Sequence, residues 1–201
     1  KDDGYGNPTD TNQDGNTTSP NYYDWNGIDF NDISVDVNSH VNYAQINYAY
    51  EGIAWNTAAA PCTETNFSGN QYGLYIAGAS SPTITNFNVT GSLYSPIILS
   101  LAANPIFVGG ALSNNGFQAI EIFGETTSAD YTLPRRDVAG DVNIVYLLRD
   151  QSLTVGSNSV LTIQPGVVLK LRSAWIYVNK GLMATSGSSD PDSQVVFTSY
   201  R

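Results

Sequence analysis

Short apolar stretches recur at regular intervals along this chain, each bounded by Gly, Asn, Ser or Pro. The repeat is clearest in residues 66–108, where Asn66-Phe67 returns as Asn86-Phe87. One series of nearly equally spaced positions is Ile46, Phe67, Phe87 and Phe107. A second series with similar steps is Gly27-Ile28, Gly52-Ile53, Gly73-Leu74, Pro96-Ile97 and Ala119-Ile120. A period in the low twenties predicts either leucine-rich repeats or a parallel β-solenoid.

The residue types within each repeat favour the β-solenoid. Leucine-rich repeats need several Leu at fixed offsets and usually a helical return. Here the strands are made of Val, Ile, Phe, Tyr and Thr, and the breaks between them of turn-forming residues. We therefore predict an all-β parallel β-helix of about 21–25 residues per coil with almost no α-helix. We expect Phe67, Phe87 and Phe107 to stack inside it, and Asn66 and Asn86 to stack at a turn.

The pattern divides the chain into four segments of one solenoid. Residues 1–24 form an Asp/Asn-rich loop without strand periodicity, and residues 25–122 form a first β-helix stretch. Residues 123–150 contain Pro and paired Arg residues and are interpreted as a connecting loop and transition. Residues 151–201 form a second stretch with three strands per coil, continuous with the first. We predict one domain rather than separate ones.

Charge and composition exclude several classes of partner. The net charge is −10, and it is uneven: residues 1–134 carry 13 acids and 1 base, whereas residues 135–201 carry 5 acids and 7 bases. Without a stripe of Lys and Arg, we expect no nucleic-acid partner. The longest apolar run, residues 96–112, is broken by Asn104-Pro105, so we expect no membrane span. Cys62 is the only cysteine, which excludes an internal disulfide.

The N-terminal loop contains a calcium-type spacing. Asp10, Asn12, Asp14 and Gly15 follow the pattern D-x-N-x-D-G, which directs alternate oxygens of a tight turn to one point. Asn21 stands twelfth, where an EF-hand has Glu, so an EF-hand is excluded. The alternative to a calcium site is an unoccupied acidic turn. The predicted Ca²⁺ ligands are Asp3, Asp10, Asn12, Asp14, Asn16 (through its backbone carbonyl) and Asp24.

Several segments resemble a known class of repeat. SLTVGSNSVLTIQPGVVLKL at 152–171, QVVFTS at 194–199, and DTNQDG with DWNGI in residues 10–28 are similar to the right-handed parallel β-helix repeats of large secreted and cell-surface proteins of bacteria and archaea. The similarity covers nearly the whole chain. It implies a right-handed coil and an extracellular or cell-surface location, but no particular activity.

In that class the FTS strand commonly runs directly into the acidic loop. Residues 195–201 placed before residues 1–4 reconstitute this continuous motif. We therefore expect either that the chain belongs to a longer array or that copies stack head to tail into a filament. The acidic N-terminal part would then meet the more basic C-terminal part. The predicted interface residues are Lys1, Asp2, Trp25, Ile28, Val195, Phe197, Tyr200 and Arg201.

Catalysis is the remaining question, because β-helices also include polysaccharide lyases and hydrolases. Such sites need clustered carboxylates with a basic residue. Residues 52–122 contain only two acids, Glu64 and Glu121, and no base, while Lys170 and Arg172 have no evident partner. We expect a non-enzymatic, calcium-stabilised, extracellular structural solenoid. The alternative is a carbohydrate-binding, adhesive or polysaccharide-degrading fragment, since the 13 Tyr could stack on sugars.

Overall fold

A computed structural model describes residues 5–7, 9–15, 17–186 and 188–200. It shows an all-β parallel β-solenoid of about 7 turns with about 23 residues per coil, which confirms the predicted fold class. Helical structure within the described ranges is limited to two short 3-10 turns, Asp36–Asn38 and Pro191–Ser193. None of it is long and apolar enough to cross a membrane. The right-handed sense of the coil stays a prediction.

In chain order the strands are β1 (Ile28–Phe30), β2 (Val41–Asn42), β3 (Gln45–Asn47), β4 (Glu51–Asn56), β5 (Cys62–Thr63), β6 (Asn66–Ser68), β7 (Tyr72–Ala77), β8 (Thr83–Thr85), β9 (Asn88–Thr90), β10 (Ile97–Leu99), β11 (Ile106–Val108), β12 (Ala111–Ser113), β13 (Ile120–Ile122), β14 (Thr126–Thr127), β15 (Tyr131–Leu133), β16 (Tyr146–Arg149), β17 (Leu153–Val155), β18 (Val160–Ile163), β19 (Val168–Arg172), β20 (Ile176–Val178), β21 (Gly181–Ala184) and β22 (Val196–Ser199).

Three faces run along the solenoid. One face is a continuous eight-stranded parallel sheet in the order β1-β4-β7-β10-β13-β16-β19-β22, here called the long sheet. Each of the other two faces is divided into a four-stranded sheet, β11-β8-β5-β2 or β12-β9-β6-β3, and a three-stranded sheet, β14-β17-β20 or β15-β18-β21. The long sheet therefore continues through residues 123–150, which contain β14, β15 and β16.

The second sequence series predicts the register of the long sheet correctly. Ile28, Ile53, Leu74, Ile97 and Ile120 are successive Cα partners from β1 to β13. At the first coil, the residue that precedes Ile28 must be glycine for a steric reason. A Cβ on Gly27, whose φ is +118°, would lie 1.6 Å from the carbonyl oxygen of Glu51 in the next coil. The backbones pass too closely at this corner for any side chain.

The phenylalanine series is wrong beyond its first step. Ile46 pairs with Phe67, as predicted, but Phe67 then pairs with Val89. Phe87 lies just before β9, while Phe107 lies on β11, in a different face. The rings of Phe87 and Phe107 still touch in the interior, with centroids 5.7 Å apart. The error arises because coils differ in length at the corners. Residues of the same type at equal spacing in the sequence therefore do not occupy equivalent positions in successive coils.

The predicted stack of Asn66 on Asn86 is wrong for the same reason. Asn88 occupies the position next to Asn66 and donates from Nδ2 to its Oδ1 at 2.8 Å. Asn86 is a turn residue with φ +49° and donates to Glu64 Oε1 at 2.6 Å. Amide stacking between coils does occur, but at a neighbouring position to the one that the sequence predicted.

The interior is filled by aliphatic side chains stacked from coil to coil, with a few polar groups satisfied at the corners. Trp55 is fully buried and its indole Nε1 donates to the carbonyl of Ala60 at 2.7 Å. Asn70, also fully buried, donates from Nδ2 to the carbonyl of Ile46 and accepts the N–H of Ala49. Satisfying such groups avoids the cost of burying unpaired polar atoms.

Candidate functional site

The N-terminal loop brings together three of the predicted calcium ligands. The carboxylate of Asp10 accepts the backbone N–H groups of Asp14 and Gly15, both at 3.1 Å. Asp14 Oδ2 accepts from Asn12 Nδ2 at 2.9 Å and from Thr18 Oγ1 at 2.6 Å. The loop therefore closes on itself through hydrogen bonds among the residues of the D-x-N-x-D-G pattern.

One oxygen in this loop is left over. Asp14 Oδ1 is buried and has no hydrogen-bond partner. A cation would satisfy it, since an unpaired buried carboxylate oxygen is costly. Within the described ranges, however, no three His, Cys, Asp or Glu side chains converge to hold a metal ion. The described loop thus fits a cation through one carboxylate oxygen, and further oxygens would have to come from amide or carbonyl groups.

Among the described residues, Asp24 is the remaining predicted ligand. Asp24 Oδ2 accepts the backbone N–H of Asn21 at 2.8 Å, which closes a local turn at the start of the solenoid. Asp3 and Asn16 lie outside the described residues.

At the N-terminal end of the solenoid, β1 is an edge strand of the long sheet. Ile28, which opens β1, is only half-buried, whereas its partner Ile53 is fully buried. Trp25 is 42% exposed, and its indole Nε1 donates to the carbonyl of Asn47 at 2.7 Å. The loop that follows β1 in this first coil also carries strongly exposed apolar side chains, namely those of Ile33, Val35 and Val37.

At the opposite end, β22 is the other edge strand of the long sheet. Phe197 is in register with Leu169, yet Leu169 is fully buried and Phe197 is 44% exposed. Val195, just before β22, is partly buried against the core. The edge strand β20 exposes Val178 in the same way, although its register partner Val155 is fully buried. Among the described residues, none covers Phe197, the last side chain of this interior row.

Tyr200 follows β22 in this last coil. Its backbone N–H donates to the carbonyl of Leu171 at 2.9 Å, and its ring lies on the outer side of the long sheet. There it meets Phe117 edge to face, with centroids 5.0 Å apart, and Lys170 Nζ lies 5.7 Å from its ring centre. Of the remaining predicted interface residues, Lys1, Asp2 and Arg201 fall in the parts of the chain that the structure does not describe.

The outer side of the long sheet carries a buried ion pair that the sequence analysis missed. Glu121 of β13 is 2% exposed, and its Oε1 lies 3.0 Å from Arg149 Nη2. Its other oxygen accepts from Ser95 Oγ at 2.9 Å. Arg149 also donates to Tyr72 Oη at 3.0 Å and to Asp150 Oδ2 at 3.1 Å. Burial raises the pKa of Glu121, and Arg149 partly opposes this effect.

Aromatic rings surround this ion pair and continue along the sheet. We call them the aromatic strip: Tyr50, Tyr72, Tyr75, Tyr94, Phe117, Phe123 and Tyr200. Ring centroids are 6.3 Å apart for Tyr50 and Tyr72, and 5.5 Å apart for Tyr72 and Tyr94. The Arg149 guanidinium lies 4.2 Å from the ring centre of Tyr94 and 5.3 Å from that of Phe117. The strip therefore joins residues from most coils of the solenoid.

The sequence does contain a signal for this strip. Tyr50, Tyr72, Tyr94 and Phe117 follow one another in nearly equal steps, each the length of one coil. Each precedes a strand of the long sheet or opens it. A search for one residue type at one fixed interval finds only the three Tyr, because the fourth member is Phe and follows after a slightly longer step.

An acidic pair lies at the N-terminal end of the strip. Burial and the nearby charge of Asp29 raise the pKa of Glu51 from 4.5 to about 7. Burial and the charge of Glu51 in turn raise the pKa of Tyr75 to about 12. Asp29 also accepts from Asn56 Nδ2 at 2.6 Å. This end of the strip thus offers hydrogen-bond acceptors beside tyrosine rings.

These features define the described residues as a parallel β-solenoid that exposes apolar side chains on its first and last coils and carries an aromatic outer strip on the long sheet. No protein-family model, curated protein or solved structure matches the chain. No family match therefore supports the specific repeat segment that the resemblance implied, or the calcium loop that the spacing predicted.

Proposed function

We propose that this chain is a non-enzymatic, extracellular structural β-solenoid whose ends stack on those of further copies, head to tail. The observation that carries the proposal is the contrast within one interior row, where Leu169 is fully buried and its neighbour Phe197 is 44% exposed. An added coil would cover Phe197 as β22 itself covers Leu169. The extracellular location rests on the resemblance alone.

Two physical effects favour stacking. The free edges of β1 and β22 present unpaired backbone groups, which promote strand addition. Complete burial of a Phe side chain contributes about 1.5–3 kcal/mol, so covering the exposed part of Phe197 contributes about 1 kcal/mol. Ile33, Val35 and Val37 add exposed apolar surface at the other end. A translation along the solenoid axis does not close, so such a contact would give a filament.

The charge distribution favours a head-to-tail polarity. Residues 1–134 carry 13 acids and 1 base, a net charge of −12, and residues 135–201 carry 5 acids and 7 bases, a net charge of +2. Joining unlike ends brings the acidic part of one copy to the basic part of the next. Joining two N-terminal ends would place like charges together.

The buried ion pair supports the non-enzymatic part of the proposal. Of the two acids in residues 52–122, Glu121 is the one that lies on the long sheet. Arg149 and Ser95 already hold its two oxygens, and only 2% of its side chain is exposed. A carboxylate held and covered in this way is poorly placed to exchange protons with a substrate.

The proposal includes a Ca²⁺ ion at the N-terminal loop, supported by the buried, unpartnered Asp14 Oδ1. Asp10, Asn12 and Asp14 would hold it, with Asp3, Asn16 and Asp24 as the other predicted ligands. The ion would neutralise the loop's carboxylates and order the chain before β1. Thermal melts with excess CaCl₂ should have a higher midpoint than melts with EDTA, and Asp14→Asn should reduce the difference. Equal midpoints in wild type would remove the site.

Sedimentation velocity over a concentration series, with negative-stain electron microscopy, tests the stacking. The wild-type chain should form larger species as concentration rises, and Phe197→Asp should abolish them. Val142→Asp is the matched control, because Val142 is 71% exposed in the loop between β15 and β16, away from both ends. Wild-type protein that stays monomeric at all concentrations would refute the proposal.

Mixing two blocked variants tests the polarity. Ile33→Asp blocks the N-terminal end, and Phe197→Asp blocks the C-terminal end. Each variant alone should be monomeric, and an equimolar mixture should form dimers and nothing larger. Dimers formed by one variant alone would indicate head-to-head contact instead.

A further inference from the structure

The rings of the aromatic strip are spaced regularly along the solenoid, and neither the core nor end-to-end stacking requires this arrangement. Tyr50, Tyr72, Tyr94 and Phe117 come from consecutive coils, each beside the start of a long-sheet strand. Neighbouring strands of a sheet are about 4.7–4.9 Å apart, so the four rungs extend over about 14 Å along the solenoid axis. Core packing does not require rings here, because the interior rows lie on the opposite side of the long sheet.

Arg149 holds part of the strip in place. Its guanidinium lies over Tyr94 at 4.2 Å and near Phe117 at 5.3 Å, which are cation–π distances. Glu121, Asp150 and the hydroxyl of Tyr72 fix its nitrogens at 3.0–3.1 Å. A surface whose side chains are fixed in advance loses little conformational entropy on binding. The strip is therefore pre-organised.

The chemistry along the strip alternates between flat apolar faces and hydrogen-bonding groups. Tyr50 is 41% exposed, and Tyr94 and Phe117 are half-buried, so each contributes part of its ring to the surface. The Tyr hydroxyls donate and accept, the Glu51 and Asp29 carboxyls accept, and the guanidinium donates. A pyranose ring has the same character, with a C–H face that stacks on an aromatic ring and hydroxyls around its rim.

The charges around the aromatic strip indicate whether a neutral or an acidic saccharide is favoured. Arg149 is paired with Glu121 and Asp150, and Arg172 Nε lies 3.8 Å from Asp150, so these two cations have carboxylates beside them. Lys170 lies on β19 beside the ring of Tyr200, whereas Glu51 and Asp29 lie at the opposite end of the same sheet, so the cations and carboxyls of the whole face nearly balance in number. With a net charge of −10 on the whole chain, a polyanion would be repelled at long range. Neither the local nor the overall charge favours an acidic glycan.

We propose that the aromatic strip binds a neutral polysaccharide, which lies along the solenoid axis and stacks on the partly exposed rings of Tyr50, Tyr94 and Phe117. The proposal does not depend on end-to-end stacking, since the strip is a lateral surface that stacking leaves free. A filament of stacked copies would present the same strip repeatedly, and binding would then gain from multivalency.

Affinity gel electrophoresis tests the proposal, with hydroxyethylcellulose, xyloglucan and galactomannan as neutral probes and polygalacturonate and alginate as acidic ones. At least one neutral polysaccharide should retard the wild-type protein, and the acidic ones should not. Tyr50→Ala should weaken the retardation at least fivefold, whereas Tyr50→Phe should preserve most of it because the ring remains. Tyr43→Ala is the matched control, since Tyr43 is 82% exposed in the turn between β2 and β3, off the strip.

Three results would overturn the inference: retardation by no neutral polysaccharide, retardation by acidic polysaccharides alone, or equal retardation of wild type and Tyr50→Ala. Phe117→Ala gives an independent check further along the strip. Its thermal midpoint should be recorded beside its binding, because the ring also packs near Arg149 and on Tyr200.

Discussion

The Glu121–Arg149 pair allows the sharpest test of the structure. When one residue of the pair is replaced, the other is left with remaining contacts, and Arg149 keeps more of them than Glu121 does. Without Glu121, Arg149 keeps Asp150 at 3.1 Å, the Tyr72 hydroxyl at 3.0 Å and the ring of Tyr94. Without Arg149, the one partner that Glu121 keeps among the described residues is the hydroxyl of Ser95 at 2.9 Å, and its side chain is 2% exposed. Arg149→Met should therefore be more damaging than Glu121→Leu.

The magnitudes follow from the cost of leaving a charge buried. Arg149→Met should lower the free energy of unfolding by about 3–5 kcal/mol, the range for a buried pair that loses one partner. Glu121→Leu should cost about 2–3 kcal/mol, because Arg149 is 11% exposed and keeps another carboxylate. The double variant should cost less than the sum of the two by about 1–3 kcal/mol, since it buries no charge on either side.

The same reasoning predicts a pH signature. In Arg149→Met the pKa of Glu121 loses the charge that opposes the effect of burial, so it rises further above its unfolded value. A carboxyl whose folded pKa is raised stabilises the fold fully at low pH and loses that contribution as pH rises. The cost of Arg149→Met should therefore be larger at pH 7.5 than at pH 5, while Glu121→Leu lacks the carboxyl responsible.

Urea unfolding followed by tryptophan fluorescence measures all three variants, since Trp55 is fully buried. Trp55→Phe, carrying the same substitutions, controls for signal from the other tryptophans. Equal costs for the two single variants, strict additivity in the double variant, and no dependence on pH would together refute the reasoning.

Two further predictions concern the long sheet. The pKa of Glu51 is raised to about 7, so the wild-type protein should lose stability as pH rises from about 4.5 to above 7, and Glu51→Gln should remove part of that loss in urea titrations at pH 4.5 and 8. A pH dependence identical in both proteins would contradict this. Gly27→Ala should lower the free energy of unfolding by more than about 3 kcal/mol, because its Cβ would lie 1.6 Å from the carbonyl oxygen of Glu51. Gly140→Ala, with φ +88° and no atom within 4 Å of the new Cβ, should cost only about 1–2 kcal/mol, and equal costs at both glycines would show that the corner is not closely packed.

Much of the fold was predictable because a solenoid turns sequence period into spatial contact. Each residue of the long sheet pairs with the residue one coil later, so the series from Ile28 to Ile120 gave the register directly. The strands beginning at Leu153, Val160 and Val168 were likewise visible as apolar runs between turns. The prediction failed where coils change length, as at Phe87. Extra residues at a corner change the spacing in the sequence, while the strands of successive coils stay aligned.

The candidate surfaces were less predictable. Their key contacts join side chains that reach across several coils. Arg149 donates to Tyr72, 77 residues earlier, and no period in the sequence links them. Lys170 and Arg172 had no evident partner in the sequence, yet Asp150 lies 3.8 Å from Arg172 and the ring of Tyr200 lies beside Lys170.

The sequence by itself determined that this chain coils into parallel β-sheets and which strands pair along the long sheet, because both depend on a repeating distance along the chain. Only the tertiary structure decided that Phe197 ends an interior row half exposed, and that Arg149, Glu121 and the aromatic strip form one fixed surface. These properties depend on how far side chains extend from neighbouring coils, and hence on geometry across the sheet, which periodicity does not encode.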